Sequence, residues 1–235
     1  MPQTNYDTIA AEFDAYEADA VTDIELGYSN IVRLLGGCNG KKILDFGCGT
    51  GKVSRYLAGH GANVTGVDIS AREIEIATDR NNGEMAFYYH MPHGHIDFIR
   101  TGSQDAVVLA FVLCTIGIKQ EILRVLKMCA RVLQKHGRVI ILNSNMEASH
   151  GREFVSFAIP RLVNPRSGDL VRVKLGKRRT LVVSDFYWTE DDYTDLILRS
   201  GLILTKTFEP IAQEQRGWKD EWQYPPFKIF SAHKP

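Results

Sequence analysis

A glycine-rich turn between two apolar runs constrains the fold of this chain more than any other feature. The run "KKILDFG" (41–47) passes into the turn "GCGTG" (47–51), and a second apolar run, "ANVTGVDIS" (62–70), follows a helical stretch. Glycines where a strand passes into a helix let the backbone turn tightly and let a ligand approach the main chain. Ligands of open α/β sheets bind at the carboxyl ends of the strands, so this turn predicts a binding pocket.

Strand-like and helix-like segments alternate along the chain, which is typical of a parallel α/β sheet. The predicted strands are 41–47, 62–70, 84–90, 105–113 and 138–145, and the predicted helices between them are 53–61, 71–80 and 119–137. Ser70 and Glu73 have the spacing of a capping box. Beyond residue 145 we expect helix plus loop, a hairpin over 170–188, a helix from Thr189 to Gly201, and two antiparallel final strands.

The composition indicates a globular protein with a small-molecule partner. The chain has 235 residues, 44% of them hydrophobic, and its 28 basic residues balance its 28 acidic residues. A net charge of zero provides no field to attract nucleic acid or an anionic membrane, so we expect neither partner. The N-terminus lacks a signal peptide pattern and no apolar run could span a bilayer. The four cysteines have no CxxC spacing, which predicts reduced thiols and a cytoplasmic location.

Two phosphate-binding interpretations of the glycine turn fail on spacing. A P-loop requires GxxxxGK[ST], which Gly47 to Lys52 cannot supply. A dinucleotide fingerprint requires a glycine at position 52, where Lys52 stands. In addition, Asp45 precedes the first glycine by two residues, and its carboxylate would repel a pyrophosphate but attract an ammonium group. The turn therefore favours a ligand that carries an amine.

The motif "ILDFGCGTG" resembles motif I of the class I (Rossmann-like) S-adenosylmethionine-dependent methyltransferases, and "VTGVDIS" resembles their next motif. The aspartate of the second motif, Asp68, lies 21 residues after Gly47. The resemblance covers about residues 40–145 and implies one α/β domain, 1–235, with a seven-stranded, mostly parallel sheet, helices on both faces and the last strand antiparallel. The implied parts are a helical N-terminal lid (1–40), a cofactor-binding core (41–145), a substrate-binding insertion (146–188) and the final strands (189–235).

The resemblance implies S-adenosylmethionine as cofactor and S-adenosylhomocysteine as product. Asp68 would bind the ribose hydroxyls and Ile69 would cover adenine. The full set of implied cofactor contacts is Asp45, Gly47, Cys48, Gly49, Gly51, Asp68, Ile69, His93 and Phe111. One position departs from the family pattern, because the aspartate that many relatives place after the third strand is missing near His93. The adenine amino group is left to main-chain groups, to His93 or to Asp97.

Methyl transfer from a sulfonium is an in-line displacement, in which the protein mainly aligns the reactants and excludes water. The sequence need not contain a catalytic dyad, and none is evident. Tyr6 and His93 are the candidates for a catalytic group. The histidines at 90, 93 and 95 lie in one loop, but their spacing does not match a metal site, so we expect no metal. Solvated loop histidines are the alternative.

Aromatic side chains in two regions are the candidates for binding the methyl acceptor. "YDTIAAEFDAY" resembles the lid of small-molecule members of the family, where Tyr6 and Tyr16 would close the pocket. In "SDFYWT" (184–189), Phe186, Tyr187 and Trp188 could stack on a planar substrate. Ordinary core packing is the alternative for both sets.

The predicted activity is transfer of a methyl group to an O or N atom of a small aromatic or heterocyclic metabolite. Members of the family that modify DNA bases carry an Asn/Asp-Pro-Pro-Tyr/Phe motif after strand four, where this chain has "FVLCTIGI". The alternatives are a methyltransferase acting on protein or RNA, and a non-catalytic protein that binds S-adenosylmethionine. The sequence indicates no oligomeric state.

Overall fold

A seven-stranded sheet and a smaller three-stranded sheet form the β structure of the chain. The computed structural model describes residues 4–177 and 181–235. The strands are β1 (Lys42–Phe46), β2 (Asn63–Asp68), β3 (Ala86–His90), β4 (Gln104–Ala110), β5 (Leu133–Ser144), β6 (Phe157–Ala158), β7 (Leu170–Leu175), β8 (Leu181–Phe186), β9 (Ile203–Phe208) and β10 (Phe227–His233). The large sheet has the order β3-β2-β1-β4-β5-β10-β9, and the small one the order β6-β7-β8.

Strand directions in the large sheet match the predicted fold class. β1 to β5 pair in parallel, whereas β10 is antiparallel to both of its neighbours, β5 and β9. The order reverses at β1, because β2 and β4 lie on either side of it and the chain crosses over between them. Such a reversal opens a crevice at the carboxyl ends of the central strands. The predicted α/β fold is confirmed.

Helices cover both faces of the large sheet. The α-helices are α1 (Tyr6–Ala15), α2 (Ser29–Leu35), α3 (Lys52–Gly59), α4 (Ala71–Asp79), α5 (Lys119–Val132), α6 (Met146–Ser149) and α7 (Glu190–Arg199). Because successive residues of a strand point to opposite faces, Ile43 packs into one core with α2 and α3, while Leu44 packs into a second core with α5 and α7. Between α1 and α2 lie a 3₁₀ turn and a π-helix, Asp23–Tyr28.

The inserted segment forms a small sheet of its own. The hairpin expected over 170–188 is present as β7 and β8, which pair antiparallel with Val173 opposite Val183. Residues 178–180, in its expected turn "GKRR" and just after it, lie outside the described residues. The segment 146–169 was predicted to be helix plus loop, but it also contributes β6, which pairs with β7. Strand β6 forms because β7, which comes later in the chain, provides its backbone pairing partner, and the local sequence does not contain that information.

Two local predictions need correction. The helix predicted to run from 119 to 137 ends at Val132, because β5 begins at Leu133 and the chain end pairs with this segment: the amide of His136 donates to the carbonyl of Lys234 at 3.0 Å. The capping box is only half formed. Ser70 Oγ accepts from the amide of Glu73 at 3.1 Å, but the amide of Ser70 donates to Asp68 Oδ1 instead of to Glu73.

All four cysteines are buried free thiols, Cys38, Cys48, Cys114 and Cys129. Among the described residues, no helix combines the length and the apolar character needed to cross a bilayer. Nor does any group of three His, Cys, Asp or Glu side chains in the described ranges have an arrangement that could hold a metal ion.

Candidate active site

A cavity of about 630 Å³ lies at the carboxyl ends of β1, β2 and β4. Its wall has three parts, namely the glycine turn with the ends of these strands, the N-terminal helices, and the inserted sheet. The volume is within the range typical of small-molecule sites. The crevice expected from the order of the strands is therefore a real cavity, and the inserted sheet closes it.

Gly47 occupies a position in the turn where any side chain would be strained. Its φ angle is +73°, in the left-handed region, and a Cβ atom there would lie 2.5 Å from Val112 Cγ2. The turn folds back on β2, since the amides of Gly47 and Cys48 both donate to the carbonyl of Val67 at 2.8 and 3.0 Å. Gly51, also left-handed, begins α3. The glycines of the turn thus allow a ligand to approach its backbone.

Asp45 and Asp68 lie on neighbouring strands, and both line the cavity. Asp45 is buried and accepts a hydrogen bond from Ser54 Oγ at 2.6 Å; burial raises its pKa to about 7. Asp68 accepts from the amides of Gly49 and Ser70, each at 2.9 Å. Burial raises the pKa of Asp68 as well, although these backbone hydrogen bonds oppose the rise. Two carboxyl groups therefore face the cavity on opposite sides of the glycine turn.

Glu73 is a site residue that the sequence does not reveal, because its spacing from Ser70 predicts half of a capping box. Its side chain instead turns inward, where it is buried and lines the cavity. Burial, followed by the charge of Asp68, raises its pKa to about 8. Glu73 Oε1 and Thr50 Oγ1 are buried without a hydrogen-bond partner among the described residues. Unpartnered buried polar atoms are costly, so these two indicate a polar ligand.

The N-terminal helix α1 is fixed over the cavity by polar contacts. Asp7 accepts from Ser70 Oγ at 2.6 Å, and Arg80 pairs with Asp14. Tyr6 and Tyr16 both line the cavity, as does Phe13. Burial raises the pKa of Tyr6 well above its usual value, so this phenol stays protonated. Helix α1 therefore contributes part of the wall of the cavity, and its role as a lid stays a prediction.

A further buried carboxyl group, Asp23, lies in the π-helix between α1 and α2. It accepts a hydrogen bond from the phenol of Tyr16 at 2.6 Å and lines the cavity. Burial raises its pKa to about 6, while Tyr16 and the charge of Lys52 oppose that rise. The ammonium of Lys52 lies over the ring of Tyr16 and donates to the carbonyl of Phe13. No sequence motif marked Asp23.

Aromatic rings and the inserted sheet form the apolar wall of the cavity. The ring of Phe227 lies 5.4 Å from the ring of Phe111 and 5.4 Å from that of Phe157, which it stacks on. Val173 and Leu175 of β7 and Val183 and Asp185 of β8 complete this wall. Asp185 is the acidic member of an otherwise apolar strand face.

Five of the predicted site residues do not line the cavity. Phe186 points away because Asp185, its neighbour on the strand, points inward; its ring packs against Gly117. The indole N–H of Trp188 donates to the carbonyl of Ile116 at 3.0 Å, and the side chain is buried in the second core. Tyr187 is buried in the first core, and His93 is exposed in the loop after β3. The fifth residue, Gly51, shapes the turn.

The other predicted residues converge on the cavity. Its lining includes Tyr6, Tyr16, Asp45, Gly47, Cys48, Gly49, Asp68, Ile69 and Phe111. Ile69 is 60% exposed and thus available to contact a flat ligand. The cavity therefore brings together the two tyrosines of α1 and all of the predicted cofactor contacts except Gly51 and His93. The aromatic residues at 186–188 do not line it.

Comparison with known proteins identifies the family to which this site belongs. The methyltransferase domain family matches residues 44–141, the stretch that contains the glycine turn and both aspartates. N-demethylindolmycin N-methyltransferase of Streptomyces griseus is 26% identical over 207 residues, which cover 84% of this chain and 87% of that protein. Residues 44–141 form a methyltransferase domain, of the kind found in the class I S-adenosylmethionine-dependent methyltransferases.

Two further proteins resemble this methyltransferase. Demethylmenaquinone methyltransferase of Tropheryma whipplei (strain Twist) is 34% identical over 147 residues, so the aligned part spans 57% of that relative and 58% of this chain. The crystal structure of an S-adenosylmethionine-dependent methyltransferase from Mesorhizobium loti superposes with a TM-score of 0.63 at 17% identity, covering 88% of this chain and 96% of that one. At this identity the structural likeness establishes the fold.

The cavity fits S-adenosylmethionine, which the reaction of this enzyme family consumes as a cosubstrate. The glycine turn lets a ligand approach the backbone, because Gly47 has no Cβ that would obstruct it. The carboxyl groups of Asp45 and Asp68 match a ligand with an amine and hydroxyl groups. The oxygens of Glu73 and Thr50 that have no hydrogen-bond partner among the described residues match the same ligand. When bound, S-adenosylmethionine supplies a methyl group activated by a positively charged sulfur. The acidic lining suits that positive charge.

Proposed function

We propose that this methyltransferase transfers a methyl group from S-adenosylmethionine to a nitrogen or oxygen atom of a small aromatic or heterocyclic molecule. The observation that carries this proposal is the continuity of the cavity from Asp45 and Asp68 to the ring wall of Phe111, Phe157 and Phe227. An aromatic wall favours a flat, apolar acceptor, which can stack on or meet these rings edge to face.

In this proposal, residues on the two sides of the cavity have different roles. Asp45 and the backbone of the glycine turn hold the methionine part of S-adenosylmethionine, and Asp68 holds its ribose. Tyr6 and the lid exclude water and position the acceptor, because helix α1 is fixed over the cavity by the hydrogen bond between Asp7 and Ser70. Alignment by such walls accounts for most of the rate, since oriented reactants reach effective molarities of order 10⁵–10⁸ M.

The names of the relatives support a small acceptor. N-demethylindolmycin and demethylmenaquinone are small molecules, and the first of these proteins is similar to this chain over most of both lengths. We further propose that residues 1–235 act as one domain, with 1–40 as lid and 146–188 as the acceptor side. The cytoplasmic location and the lack of nucleic-acid and membrane partners stay predictions from sequence.

Incubation with methyl-labelled S-adenosylmethionine tests the proposal. The purified protein is mixed separately with a metabolite extract depleted of macromolecules, with total protein and with total RNA. Label in small molecules is the expected result. Label in protein or RNA would support the rival macromolecular methyltransferase, and a protein that binds S-adenosylhomocysteine but transfers no label would be the non-catalytic alternative.

A thermal-shift measurement tests the ligand independently of any acceptor. We expect S-adenosylhomocysteine to stabilise the protein by RT ln(1 + [L]/Kd), and NAD to have no effect. Stabilisation by NAD alone would refute the assignment of the glycine turn.

A further inference from the structure

Asp185 interrupts the apolar face of the inserted sheet that lines the cavity. On β8, alternate residues Val183 and Asp185 line the cavity, and on β7 so do Val173 and Leu175. The cross-strand partner of Asp185 in the register is Val171, another apolar residue. The Asp185 residue is only 5% exposed. If packing alone determined which residue occupies this position, a valine or leucine would be more stable there than a carboxyl group.

The surroundings of Asp185 do little to compensate its charge. Its hydrogen-bond partner is the thiol of Cys114, which follows β4, and a thiol is a weak donor. Burial raises the pKa of Asp185 to about 7, and the hydrogen bond from Cys114 offsets only part of that rise. Among the described residues, the other titratable groups that interact with Asp185 are the phenols of Tyr6 on α1 and Tyr193 on α7, and both are held protonated.

A buried carboxyl group without an ion-pair partner costs folding free energy, so such groups are more often functional than structural. Asp185 lies on the acceptor side of the cavity, on the inserted sheet, and its charge acts on Tyr6 of the lid. The charges of Asp68 and Glu73 act on the same phenol from the cofactor side. Tyr6 thus lies between the proposed ribose site and Asp185.

We propose that Asp185 is the residue that binds the acceptor, and that the acceptor is an apolar molecule carrying a basic nitrogen. This inference rests on the proposed function and narrows its acceptor atom to nitrogen. A carboxylate in an apolar wall attracts an N–H group and rejects carboxylates and phosphates, because a second negative charge there would have no counter-charge.

Asp185 then also handles the proton of the reaction. The acceptor ammonium passes one proton to the Asp185 carboxylate, and in a water-poor cavity the resulting neutral pair is favoured over two separate charges. The freed nitrogen lone pair forms the new N–C bond while the carbon–sulfur bond breaks and its electron pair stays on sulfur. The products are a methylated ammonium ion and S-adenosylhomocysteine. Asp185 afterwards releases its proton to solvent.

Binding of three matched probes tests the inference without requiring turnover. Benzylamine, benzyl alcohol and benzoate are titrated at pH 7.5 into protein saturated with S-adenosylhomocysteine, and their affinities are measured by ligand-observed NMR. We expect benzylamine to bind at least tenfold more tightly than benzoate. Asp185→Asn should weaken benzylamine at least tenfold and change benzyl alcohol less than twofold, whereas Asp191→Asn, at an exposed position of α7, should match the wild type.

Equal affinities for the three probes, or unchanged binding of benzylamine to Asp185→Asn, would overturn the role of Asp185 and leave the proposed methyl transfer intact. Conversely, absence of label transfer together with the expected probe pattern would remove methyl transfer and retain Asp185 as an amine-binding group. The two failures are therefore distinguishable.

Asp185→Val separates a binding role from a folding role. Between about pH 4 and about pH 7, Asp185 is protonated in the folded wild type but ionised in the unfolded chain. Its contribution to the stability of the fold therefore falls as the pH rises through that window. The valine variant should lose less stability than the wild type between pH 5 and pH 8 in urea titrations, and should bind S-adenosylhomocysteine normally but benzylamine weakly. A variant that fails to fold would show that Asp185 is structural.

Discussion

Replacing Gly47 by alanine should destabilise the protein by about 2–5 kcal/mol. Two independent costs contribute. An alanine held at the φ of +73° costs roughly 1–2 kcal/mol, because the left-handed region crowds Cβ against the backbone. Its Cβ would also lie 2.5 Å from Val112 Cγ2 and 3.3 Å from Cγ1, and overpacking of this kind typically costs about 1–3 kcal/mol.

The second cost can be removed separately. Val112→Ala deletes both methyl groups that the new Cβ would meet and leaves only Val112 Cβ, at an ordinary distance of 3.5 Å. The double variant Gly47→Ala/Val112→Ala should therefore be more stable than the sum of the single effects by about 1–3 kcal/mol. The conformational cost of the left-handed residue should persist in both variants.

Urea unfolding followed by tryptophan fluorescence measures these differences, since the chain has three tryptophans. Gly59→Ala is the matched control. Gly59 ends α3 with no heavy atom near its would-be Cβ, so alanine there should stabilise the protein by about 0.4–1 kcal/mol. A free energy of unfolding of Gly47→Ala within 0.5 kcal/mol of the wild type would refute the predicted strain at Gly47. Purely additive effects of Gly47→Ala and Val112→Ala would refute the predicted contact with Val112.

Three further substitutions have expected outcomes of different kinds. Asp68→Asn should weaken binding of S-adenosylhomocysteine by about 10- to 100-fold in calorimetric titrations, in line with about 1.5–3 kcal/mol for a charge-assisted hydrogen bond, while Asp191→Asn, at an exposed position of α7, should leave this binding unchanged; equal effects would exclude the ribose assignment. Lys228→Met leaves three glutamates without their shared lysine and should cost about 1–3 kcal/mol at low salt but less in 1 M NaCl; a salt-independent loss would contradict an electrostatic cause. Thr189→Ala breaks the capping box of α7 and should cost about 1 kcal/mol in thermal unfolding, whereas Thr189→Ser should stay near the wild type; equal losses would exclude the cap.

Features that depend on adjacent residues could be predicted from sequence. The strand–turn–helix around Gly47 follows from glycines next to an apolar run, and the start of α7 follows from Thr189 with Asp192 three residues later. The same local signal was misleading at Ser70, where Glu73 had the right spacing for a capping box. The amide of Ser70 instead found a closer acceptor in Asp68, and the Glu73 side chain turned into the cavity.

The end of α5 shows how distant pairing overrides local periodicity. Residues 119–137 have continuous helical spacing, yet the helix stops at Val132, and Lys234 supplies backbone hydrogen-bond partners for residues 136 and 137. Those partners are about 100 positions away in sequence. No window of local sequence contains that information.

The sequence by itself determined the family, the glycine turn and the two aspartates, because each depends on residue type and spacing within a few dozen positions. Only the tertiary structure decided which side chains of the inserted sheet line the cavity. Alternate residues of a strand point to the same face of the sheet. The hairpin packs with the face that contains Asp185 toward the cavity, whereas the opposite face would have placed Phe186 there. That choice depends on how the inserted sheet packs against the turn that follows β4, against Phe227 of β10 and against the N-terminal segment, which come from distant parts of the chain.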